Sequence, residues 1–491
     1  MRISILACLA CLAACGSNNE SGDDLSATAD LSHAPDPLAM SCDDAIADVY
    51  TLPSSLPAFD PSHRGDVFRC AFDRALTAAQ INAEITAIGY VGPPVENDVN
   101  VYRVAYRTTR AAGAGAGYSS ALLLMPQQHR RSDLYVVTGH GTVGLADKCV
   151  PSKMNLTDPT ITDTVVIYDL GLAGDGYIVM APDYAGYGYG QVVHGWSLAA
   201  DEAQSLLDGT RAMKNLIAPS ALPGKFAMLG HSQGSHAVLS AQALAPTYGM
   251  NGEMVAVAPM AVLWFSDLTW GASLSPLVGL TTAQNSGVIA YGLFYYYGHG
   301  ELYDGPGGGL AMIQASKRDA VKQLLTTGCN DDVANGVAAL GATPSDIYDQ
   351  NFVASLQQCM IFQQNCDIDP AKTWMQRALA DRPTIDAHGA PMLAWHGAVD
   401  TTIPPDRAQC GFDKIDADLA AATNPTATFT VCGDAQADHG GVIKRDLDYV
   451  NQWFSAKVGG MPDPPGCPGP GPLGHSGDMS TLTCATPPAN L

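Results

Sequence analysis

The chain has 491 residues, of which 47% are hydrophobic and 15% charged, and this composition is typical of a packed globular protein with one large domain or two. The formal net charge of −23 excludes the basic footprint that nucleic-acid binding requires and leaves no polybasic patch for anionic lipid. An acidic, solvated surface that keeps the protein soluble accounts for the charge.

The first fifteen residues have the organisation of a secretory signal. Arg2 supplies the positive charge, residues 3–14 are apolar and small, and the segment is too short to span a membrane. Its end, LAAC, resembles the lipobox of bacterial lipoproteins, which implies cleavage before Cys15 and lipidation of that cysteine. Ordinary cleavage and free secretion is the alternative. We expect an exported protein, either secreted or held in the bacterial cell envelope by lipid at Cys15, and Ser17 is compatible with the outer membrane.

Residues 16–40 are rich in Gly, Ser, Asn, Asp and Pro, which predicts a flexible tether after the signal. Ten cysteines lie beyond Cys15, and an even number in an exported chain predicts up to five disulfides. Nearness in sequence favours three pairs, with the other four cysteines left open: Cys42–Cys70, Cys410–Cys432 and Cys467–Cys484. Metal binding is the alternative, but no zinc-type spacing of Cys and His is present.

After a helix predicted over 77–88, with Thr77 as its N-cap, the runs 99–107 and 118–125 suggest an antiparallel hairpin. Strands then alternate with helices, which predicts a largely parallel sheet covered on both faces. The later strands are expected near 134–139, 176–181, 225–230, 253–258, 391–396 and 427–432. The helices between and after them are expected near 161–172, 200–217, 235–247, 406–421 and 441–456.

Residues 260–390 interrupt this alternation with an aromatic stretch that includes a helical pattern over 310–327. We expect a cap packed over the strand ends, although a helical subdomain without substrate contact is the alternative. The core would then comprise residues 41–259 and 391–458. The final stretch, 459–491, is dense in Gly and Pro and predicts an irregular tail held by disulfides.

The most informative stretch is the GHSQG pattern at 230–234, which lies between a predicted strand and a predicted helix. A G-x-S-x-G pattern in that context predicts a sharp turn that leaves a strained serine, Ser232, with its hydroxyl exposed. The following helix also directs its N-terminal amides at the site, which favours negative charge. Ser232 is therefore the candidate nucleophile.

A serine hydroxyl needs a base and an orienting acid, and in G-x-S-x-G hydrolases these follow the serine as acid and then histidine. Asp400, just after the strand predicted over 391–396, is the candidate acid, and a turn aspartate bonding its own backbone is the bland alternative. The weaker acid candidates are Asp406, Asp434 and Asp438. His439, between the last strand and the last helix, is the candidate base, although a surface-loop histidine without a role fits too. Only His475 lies further downstream.

Backbone amides are the usual donors of an oxyanion hole. One is expected at Gln233, directly after the nucleophile. The second is expected at Thr142, in the GHGTVG loop at 139–144 that follows the strand predicted over 134–139. A glycine-rich turn without a catalytic part is the alternative for this loop.

These residues resemble an α/β-hydrolase, and the segment HGTVGLADKCVPSK at 140–153 is similar to the equivalent loop of the secretory lipases. The segment APDYAGYG at 181–188 also resembles a loop of that family. The resemblance covers about residues 99–456. It implies an α/β-hydrolase fold with a mostly parallel eight-stranded sheet, helices on both faces and a largely helical cap insertion.

The resemblance also implies two-step acyl transfer on a small-molecule or lipid ester, without cofactor or metal. Ser232 would attack the carbonyl, His439 would take its proton, Asp400 would orient the imidazole, and the Thr142 and Gln233 amides would hold the oxyanion. Two other functions are weighed against it. One is an exported serine aminopeptidase of the same fold, and the other is a surface lipoprotein that binds without catalysis.

Overall fold

The structure is a computed structural model that describes residues 36–113, 115–154, 165–265, 274, 282–341, 343–362 and 364–467. The lipidation candidate Cys15, the base alternative His475 and most of the predicted tail lie outside these residues. Residues 36–40 belong to the predicted tether, but they pack on the core. The reason is Asp36, whose carboxylate accepts hydrogen bonds from Asn100, Tyr102, Gln127 and Arg130.

One mixed sheet of nine strands forms the centre of the fold, in the order β1-β2-β3-β5-β4-β6-β7-β8-β9. The pairs β1–β2, β2–β3 and β3–β5 are antiparallel and all the others are parallel. The strands are β1 Val67–Leu76, β2 Val99–Arg110, β3 Gly115–Pro126, β4 Tyr135–Gly139, β5 Val179–Pro182, β6 Lys225–His231, β7 Glu253–Met260, β8 Met392–Gly397 and β9 Phe429–Asp434.

The prediction of eight strands was one short, because the edge strand β1 was not recognised. Its sequence, VFRCAFDRAL, breaks the apolar pattern with Arg69, Asp73 and Arg74. Tertiary contacts pair two of these charges, since Arg103 of β2 pairs with Asp73 at 2.9 Å and Asp44 pairs with Arg69 at 3.3 Å. The other eight strands lie close to their predicted positions.

Twelve α-helices surround the sheet among the described residues. They are α1 Ile46–Val49, α2 Ala78–Ala87, α3 Gly171–Gly174, α4 Ala199–Leu216, α5 Gln233–Tyr248, α6 Thr282–Tyr303, α7 Arg318–Thr327, α8 Asn330–Leu340, α9 Gln350–Phe362, α10 Ala371–Ala380, α11 Pro405–Ala421 and α12 Gly441–Gly459. Short 3₁₀ turns occur at Pro61–His63, Asp147–Cys149, Pro151–Lys153, Gly308–Leu310 and Pro344–Asp346, and a π-helix at Val165–Leu170. The predicted N-cap at Thr77 forms a full capping box with Gln80.

The core has two layers because alternate side chains of each strand face opposite sides of the sheet. In β6, Phe226 and Met228 belong to the cluster that packs on α4 and α5, whereas Ala227 and Leu229 belong to the cluster that packs on α2 and α12. Strand–helix alternation in the sequence thus produces the α/β-hydrolase architecture. No helix in the described part of the chain has the length and apolarity that crossing a bilayer demands.

Helices α6 to α10 all lie between β7 and β8, in the segment predicted to form a cap. Within it, the helical pattern over 310–327 is only partly realised, since α7 begins at Arg318. A disulfide between Cys149 and Cys329 joins this segment to the loop after β4, and Gly144 forms a β-bridge with Cys329 beside it.

Four disulfides connect described cysteines: Cys42–Cys70, Cys149–Cys329, Cys359–Cys366 and Cys432–Cys467. The predicted pair Cys42–Cys70 is confirmed. The predicted pairs Cys410–Cys432 and Cys467–Cys484 are wrong, because Cys432, at the end of β9, bonds to Cys467, where the chain returns after α12. Cys410 is disulfide-bonded as well. The prediction from nearness in sequence failed because the fold brings Cys467, which is more distant in sequence than Cys410, within bonding distance of Cys432. Several disulfides indicate an exported protein.

Candidate active site

Ser232 occupies the sharp turn between β6 and α5. Its backbone has φ 57° and ψ −119°, a positive φ that a residue with a side chain rarely adopts. The Ser232 amide donates to the carbonyl of Met260 at the end of β7, and the Ser235 hydroxyl donates to the carbonyl of Ser232. The turn is thus held in the strained conformation by bonds on both sides of it.

The two glycines of the GHSQG pattern are required by close backbone approach. A Cβ on Gly230 would lie 2.0 Å from the carbonyl oxygen of Gly234. A Cβ on Gly234 would lie 1.8 Å from the carbonyl oxygen of Gly139, at the end of β4. Helix α5 therefore packs directly on the backbone of two neighbouring strands, which brings Ser232 beside the loop after β4.

Three loops bring Ser232, His439 and Asp400 into one hydrogen-bonded chain. His439 Nε2 lies 3.0 Å from Ser232 Oγ, and His439 Nδ1 lies 2.7 Å from Asp400 Oδ2. A carboxylate accepts but does not donate, so Nδ1 carries the proton and Nε2 is free to accept one from the serine hydroxyl. Residues more than two hundred positions apart thus have the arrangement of a serine nucleophile, its base and an orienting acid.

Asp400 is buried and held in place by its own loop. Its Oδ1 accepts hydrogen bonds from the amides of Thr402 and Ile403 at 2.8 and 2.9 Å. Burial works against its ionisation, but the hydrogen bond and charge of His439 outweigh burial and lower the pKa of Asp400 below its ordinary value. The carboxylate is therefore charged at neutral pH. The bonds to its own turn, which the sequence suggested as an alternative, coexist with the bond to His439.

Two further histidines hold the backbone of the loops that carry His439 and Asp400. His231 donates from Nε2 to the carbonyl of His439 at 2.8 Å, and burial lowers the pKa of His231 to about 3. His396 donates from Nε2 to the carbonyl of Ile403 at 2.9 Å and accepts from the amide of Val262, and burial lowers its pKa too. Both rings are neutral, so His439 can gain charge without a second imidazolium beside it.

The other acid candidates do not contact His439. Asp434 pairs with Arg445, and Asp438 accepts from the amide of Gly441 at the start of α12. Asp406 lies in the first turn of α11. Among the described carboxylates, Asp400 is the one bonded to the imidazole of His439.

Thr142 and Gln233, the candidates for the oxyanion site, flank Ser232. Gln233 follows the serine as the first residue of α5, and Thr142 lines the same pocket as the Ser232 side chain. The Thr142 hydroxyl accepts a hydrogen bond from the indole of Trp196 at 2.9 Å. The loop is anchored further by Tyr184, whose hydroxyl donates to the carbonyl of His140 at 3.1 Å.

The pocket above Ser232 is mostly apolar and holds about 630 Å³ of empty space, its open mouth included. Four aromatic side chains line it: Trp196, and Phe265, Tyr291 and Tyr295 from the segment between β7 and β8. Trp196 stacks on Tyr291 with 5.8 Å between ring centres. The lining consists of Thr142, Trp196, Ser232, Leu263, Phe265, Val288, Tyr291, Gly292, Tyr295, Thr402, Ile403 and Arg407. The segment predicted as a cap therefore forms much of the wall at the nucleophile.

A buried charge network that the sequence did not reveal lies beneath α5. Glu202 of α4 accepts from the side chain of Gln233 at 2.6 Å and from the amide of Ser197 at 2.8 Å, and it lies 3.3 Å from His236 Nδ1. Burial opposes the charge of Glu202, but the neighbouring side chains of His194 and His236 outweigh burial and lower the pKa of Glu202 to about 2. Gln233 also donates to His194 Nε2 at 2.9 Å.

His236 carries the balancing positive charge. Its Nε2 donates to the carbonyl of Asp381 at 2.7 Å while Nδ1 faces Glu202, so both ring nitrogens face acceptors. Burial opposes protonation of His236, but Glu202 raises its pKa above the ordinary value. Asp381 in turn accepts from the hydroxyl of Tyr295 and the amide of Ala199. The network thus joins the helix behind Ser232 to the aromatic wall of the pocket.

No sequence pattern marks these residues. From the sequence, Glu202 is interpreted as an acidic residue that complements the start of a helix. His236 is interpreted as a core histidine one turn after the serine. Among the described residues, no group of three or more His, Cys, Asp or Glu is arranged to hold a metal ion.

We expect the native protein to gain stability as the pH falls from 8 to about 6.5, the ordinary pKa of histidine, below which the buried neutral rings of His231 and His396 act in the opposite direction. Burial raises the pKa of Asp169 to about 8 and those of Asp175, Asp381 and Asp446 to about 7. The native state therefore holds these protons more tightly than the unfolded chain, and stability is lost as the pH rises from about 4 towards 8. Glu202, with its lowered pKa, loses its contribution only below about pH 4.5.

Denaturant unfolding at pH 5, 6.5 and 8 in a constant ionic strength measures this change. The free energy of unfolding should be higher at pH 6.5 than at pH 8, because the four raised carboxyl pKa values all act in that direction over this interval. Asp169→Asn, which keeps the shape beside Thr138, should flatten the dependence. A free energy of unfolding that rises towards pH 8 would contradict the expectation.

Comparison with known proteins relates the chain to one family and to one fold. The family model of the secretory lipases matches residues 150–267, a segment that contains Ser232. The chain has the α/β-hydrolase fold, and one segment of it matches the secretory lipase family. The family match and the fold together support a carboxylic ester hydrolase. A comparison with curated protein sequences found no match.

Solved structures share the α/β-hydrolase fold at low sequence identity. The rice cell wall degrading esterase LipA from Xanthomonas oryzae is 19% identical with a TM-score of 0.58, over 80% of this chain and 97% of that one. Candida antarctica lipase A is 18% identical with a TM-score of 0.60, over 89% and 92%. A putative hydrolase from Legionella pneumophila is 17% identical with a TM-score of 0.58, over 80% and 96%. The fold class predicted from the sequence is confirmed, with one additional strand.

Proposed function

We propose that this α/β-hydrolase cleaves carboxylic esters through an acyl-enzyme on Ser232. The observation that carries the proposal is the continuous chain from Ser232 Oγ through His439 to Asp400, with distances of 3.0 and 2.7 Å. His439 takes the hydroxyl proton as Ser232 attacks the ester carbonyl, and Asp400 orients and stabilises the imidazolium that forms. His439 then returns the proton to the leaving alcohol, and water releases the acid by the reverse sequence.

The oxyanion of each tetrahedral intermediate is proposed to bind the backbone amides of Thr142 and Gln233. Gln233 supports this role because its side chain is anchored at depth by Glu202 and His194, which holds the first turn of α5 rigidly. The loop of Thr142 is anchored through Trp196 and Tyr184. A rigid donor needs no reorganisation during the reaction, and each one contributes about 3–4 kcal/mol to transition-state stabilisation.

The apolar, aromatic pocket supports an acyl ester as the substrate. Trp196, Phe265, Tyr291 and Tyr295 present a surface that buries an acyl chain, and each methylene removed from water contributes about 0.8 kcal/mol. An aminopeptidase of the same fold would need a negative charge that holds the substrate ammonium. Arg407 is the formally charged residue in the described lining, and its sign is the opposite one. We therefore favour the esterase over the peptidase.

A panel of 4-nitrophenyl acyl esters and aminoacyl 4-nitroanilides, run side by side, tests the proposal. The wild type should hydrolyse the esters and leave the anilides uncleaved, and a fluorophosphonate should inactivate it with one label on Ser232. Faster turnover of the anilides would favour the peptidase. Failure of the fluorophosphonate to label a folded protein would favour a binding lipoprotein without catalysis.

We also propose export and a lipid anchor at Cys15, on the basis of the LAAC sequence at 12–15. The four disulfides among the described residues support an oxidising compartment. The anchor would leave the folded part, which begins at Asp36, on a tether about twenty residues long. The mass of the mature N-terminus distinguishes a lipidated Cys15 from simple cleavage.

A further inference from the structure

Arg407 differs from most of the arginines that the structure describes around the sheet, which pair with carboxylates, although the buried Arg107 has no ion pair either. The fold repeatedly pairs arginine with carboxylate, as in Arg103–Asp73, Arg110–Asp201, Arg130–Asp36, Arg211–Asp208 and Arg377–Asp304. The chain offers 48 acidic residues for 25 basic ones, so partners are abundant. The guanidinium of Arg407 nevertheless makes no hydrogen bond or ion pair with any described residue.

Arg407 also lines the pocket of Ser232. Arg407 lies in the first turn of α11, seven residues after Asp400, and it shares the pocket wall with Thr402 and Ile403. Burial lowers the pKa of Arg407, and its neighbour Asp406 opposes the shift. An arginine stays protonated in either case. The pocket therefore contains one formal positive charge in a wall that is otherwise neutral among the described residues.

The carboxylates near the reacting atoms do not pair with Arg407. Asp400 is engaged by His439 and by the amides of Thr402 and Ile403. Asp406, which directly precedes Arg407 in the sequence, forms no ion pair with it. A partly buried guanidinium without a partner among the described residues has lost part of its hydration, and a planar carboxylate restores two parallel hydrogen bonds to it.

We propose that Arg407 binds a carboxylate carried by the substrate away from the ester that is cleaved. The preferred substrates are then esters that bear a free carboxylate, such as monoesters of dicarboxylic acids. This inference rests on the proposed esterase function and deepens it, because it assigns a specificity residue to the same pocket. Arg407 contacts the substrate in this role but takes no part in proton transfer.

The test compares two substrates of similar length, the mono-4-nitrophenyl ester of glutaric acid and 4-nitrophenyl pentanoate. The measured quantity is the ratio of kcat/KM for the anionic ester to kcat/KM for the neutral one. The ratio cancels changes that affect both substrates equally. Repulsion of the anionic ester by the net charge of −23 lowers the ratio by nearly the same factor in every variant, so it does not affect the comparison between variants. In Arg407→Gln the ratio should fall at least tenfold.

Two variants act as controls. Arg407→Lys keeps the charge but loses the planar pair of donors, so its ratio should lie between those of the wild type and Arg407→Gln. Arg318→Gln removes the same charge from an exposed position on α7 and should leave the ratio within twofold of the wild type. Thermal unfolding and turnover of the neutral ester show whether each variant is folded.

The outcomes separate this inference from the proposed function. Serine-dependent hydrolysis of the neutral ester with an unchanged ratio in Arg407→Gln would overturn the role of Arg407 alone. Equal loss on both substrates in that variant would also overturn it, because the residue would then act without regard to substrate charge. Absence of hydrolysis of either ester by the wild type would overturn the proposed function first.

Discussion

Replacing Ser232 with alanine is expected to lower kcat for a short-chain 4-nitrophenyl ester by about a million-fold, to the level of the remaining binding and oxyanion effects. The hydroxyl that lies 3.0 Å from His439 Nε2 is the atom that attacks the carbonyl, and no neighbouring group replaces it in the described site. KM should change little, since the aromatic wall remains. Steady-state kinetics with enzyme prepared free of wild-type contamination measures the loss.

Ser240→Ala provides the matched control on the same helix. Its hydroxyl is buried two turns beyond Ser232 and makes no hydrogen bond, so its removal should leave kcat within twofold of the wild type. Asp400→Asn should lower kcat about ten-thousand-fold, because an amide at that position favours the wrong tautomer of His439. Retained turnover in Ser232→Ala, with a normal melting temperature, would refute the mechanism.

Replacing Glu202 with alanine is expected to lower the free energy of unfolding by about 3–5 kcal/mol, the usual effect of removing one partner of a buried ion pair. Glu202 is fully buried. Its loss leaves the buried charge of His236 without a counter-ion and the amide of Ser197 without an acceptor. That is a large part of the 5–15 kcal/mol by which proteins of ordinary stability remain folded. Equilibrium unfolding in urea, with the disulfides intact, measures the change.

A double-mutant cycle shows whether the loss comes from the ion pair. In Glu202→Gln with His236→Gln, both partners become neutral, so the double variant should be more stable than the sum of the two single losses predicts. Additive losses would show that Glu202 and His236 act independently. A loss below about 1 kcal/mol in Glu202→Ala would contradict the buried pair altogether. The same variants should lower kcat, because Gln233 loses its anchor beside the oxyanion site.

Several features followed from local sequence alone, and each has a local cause. The turn at Ser232 needs glycine at 230 and 234 because backbone atoms approach within 2 Å of where a Cβ would lie. The capping box at Thr77 depends on residues three positions apart. Strand positions from β2 to β9 follow from short apolar runs that only a covered sheet can bury.

Other features needed the whole fold. The edge strand β1 is half-exposed and carries charges, and its partners are distant in sequence: Arg103 of β2 pairs with Asp73, and Cys42 forms a disulfide with Cys70. The disulfide from Cys432 to Cys467 depends on where the chain returns after α12. In the sequence Arg407 is one residue of a predicted helix start. Its relation to Ser232 is visible only in the structure, where both residues line the same pocket.

The order of elements, the sharp turn at Ser232 and the three residues proposed for catalysis were determined by the sequence itself, because spacing and glycine placement act over a few residues. The partners were decided by the tertiary structure: Glu202 with His236, Cys432 with Cys467, and Arg407 with an apolar pocket. Their separation in sequence carries no signal, since such contacts depend on which strand ends and helix faces meet when the sheet is assembled.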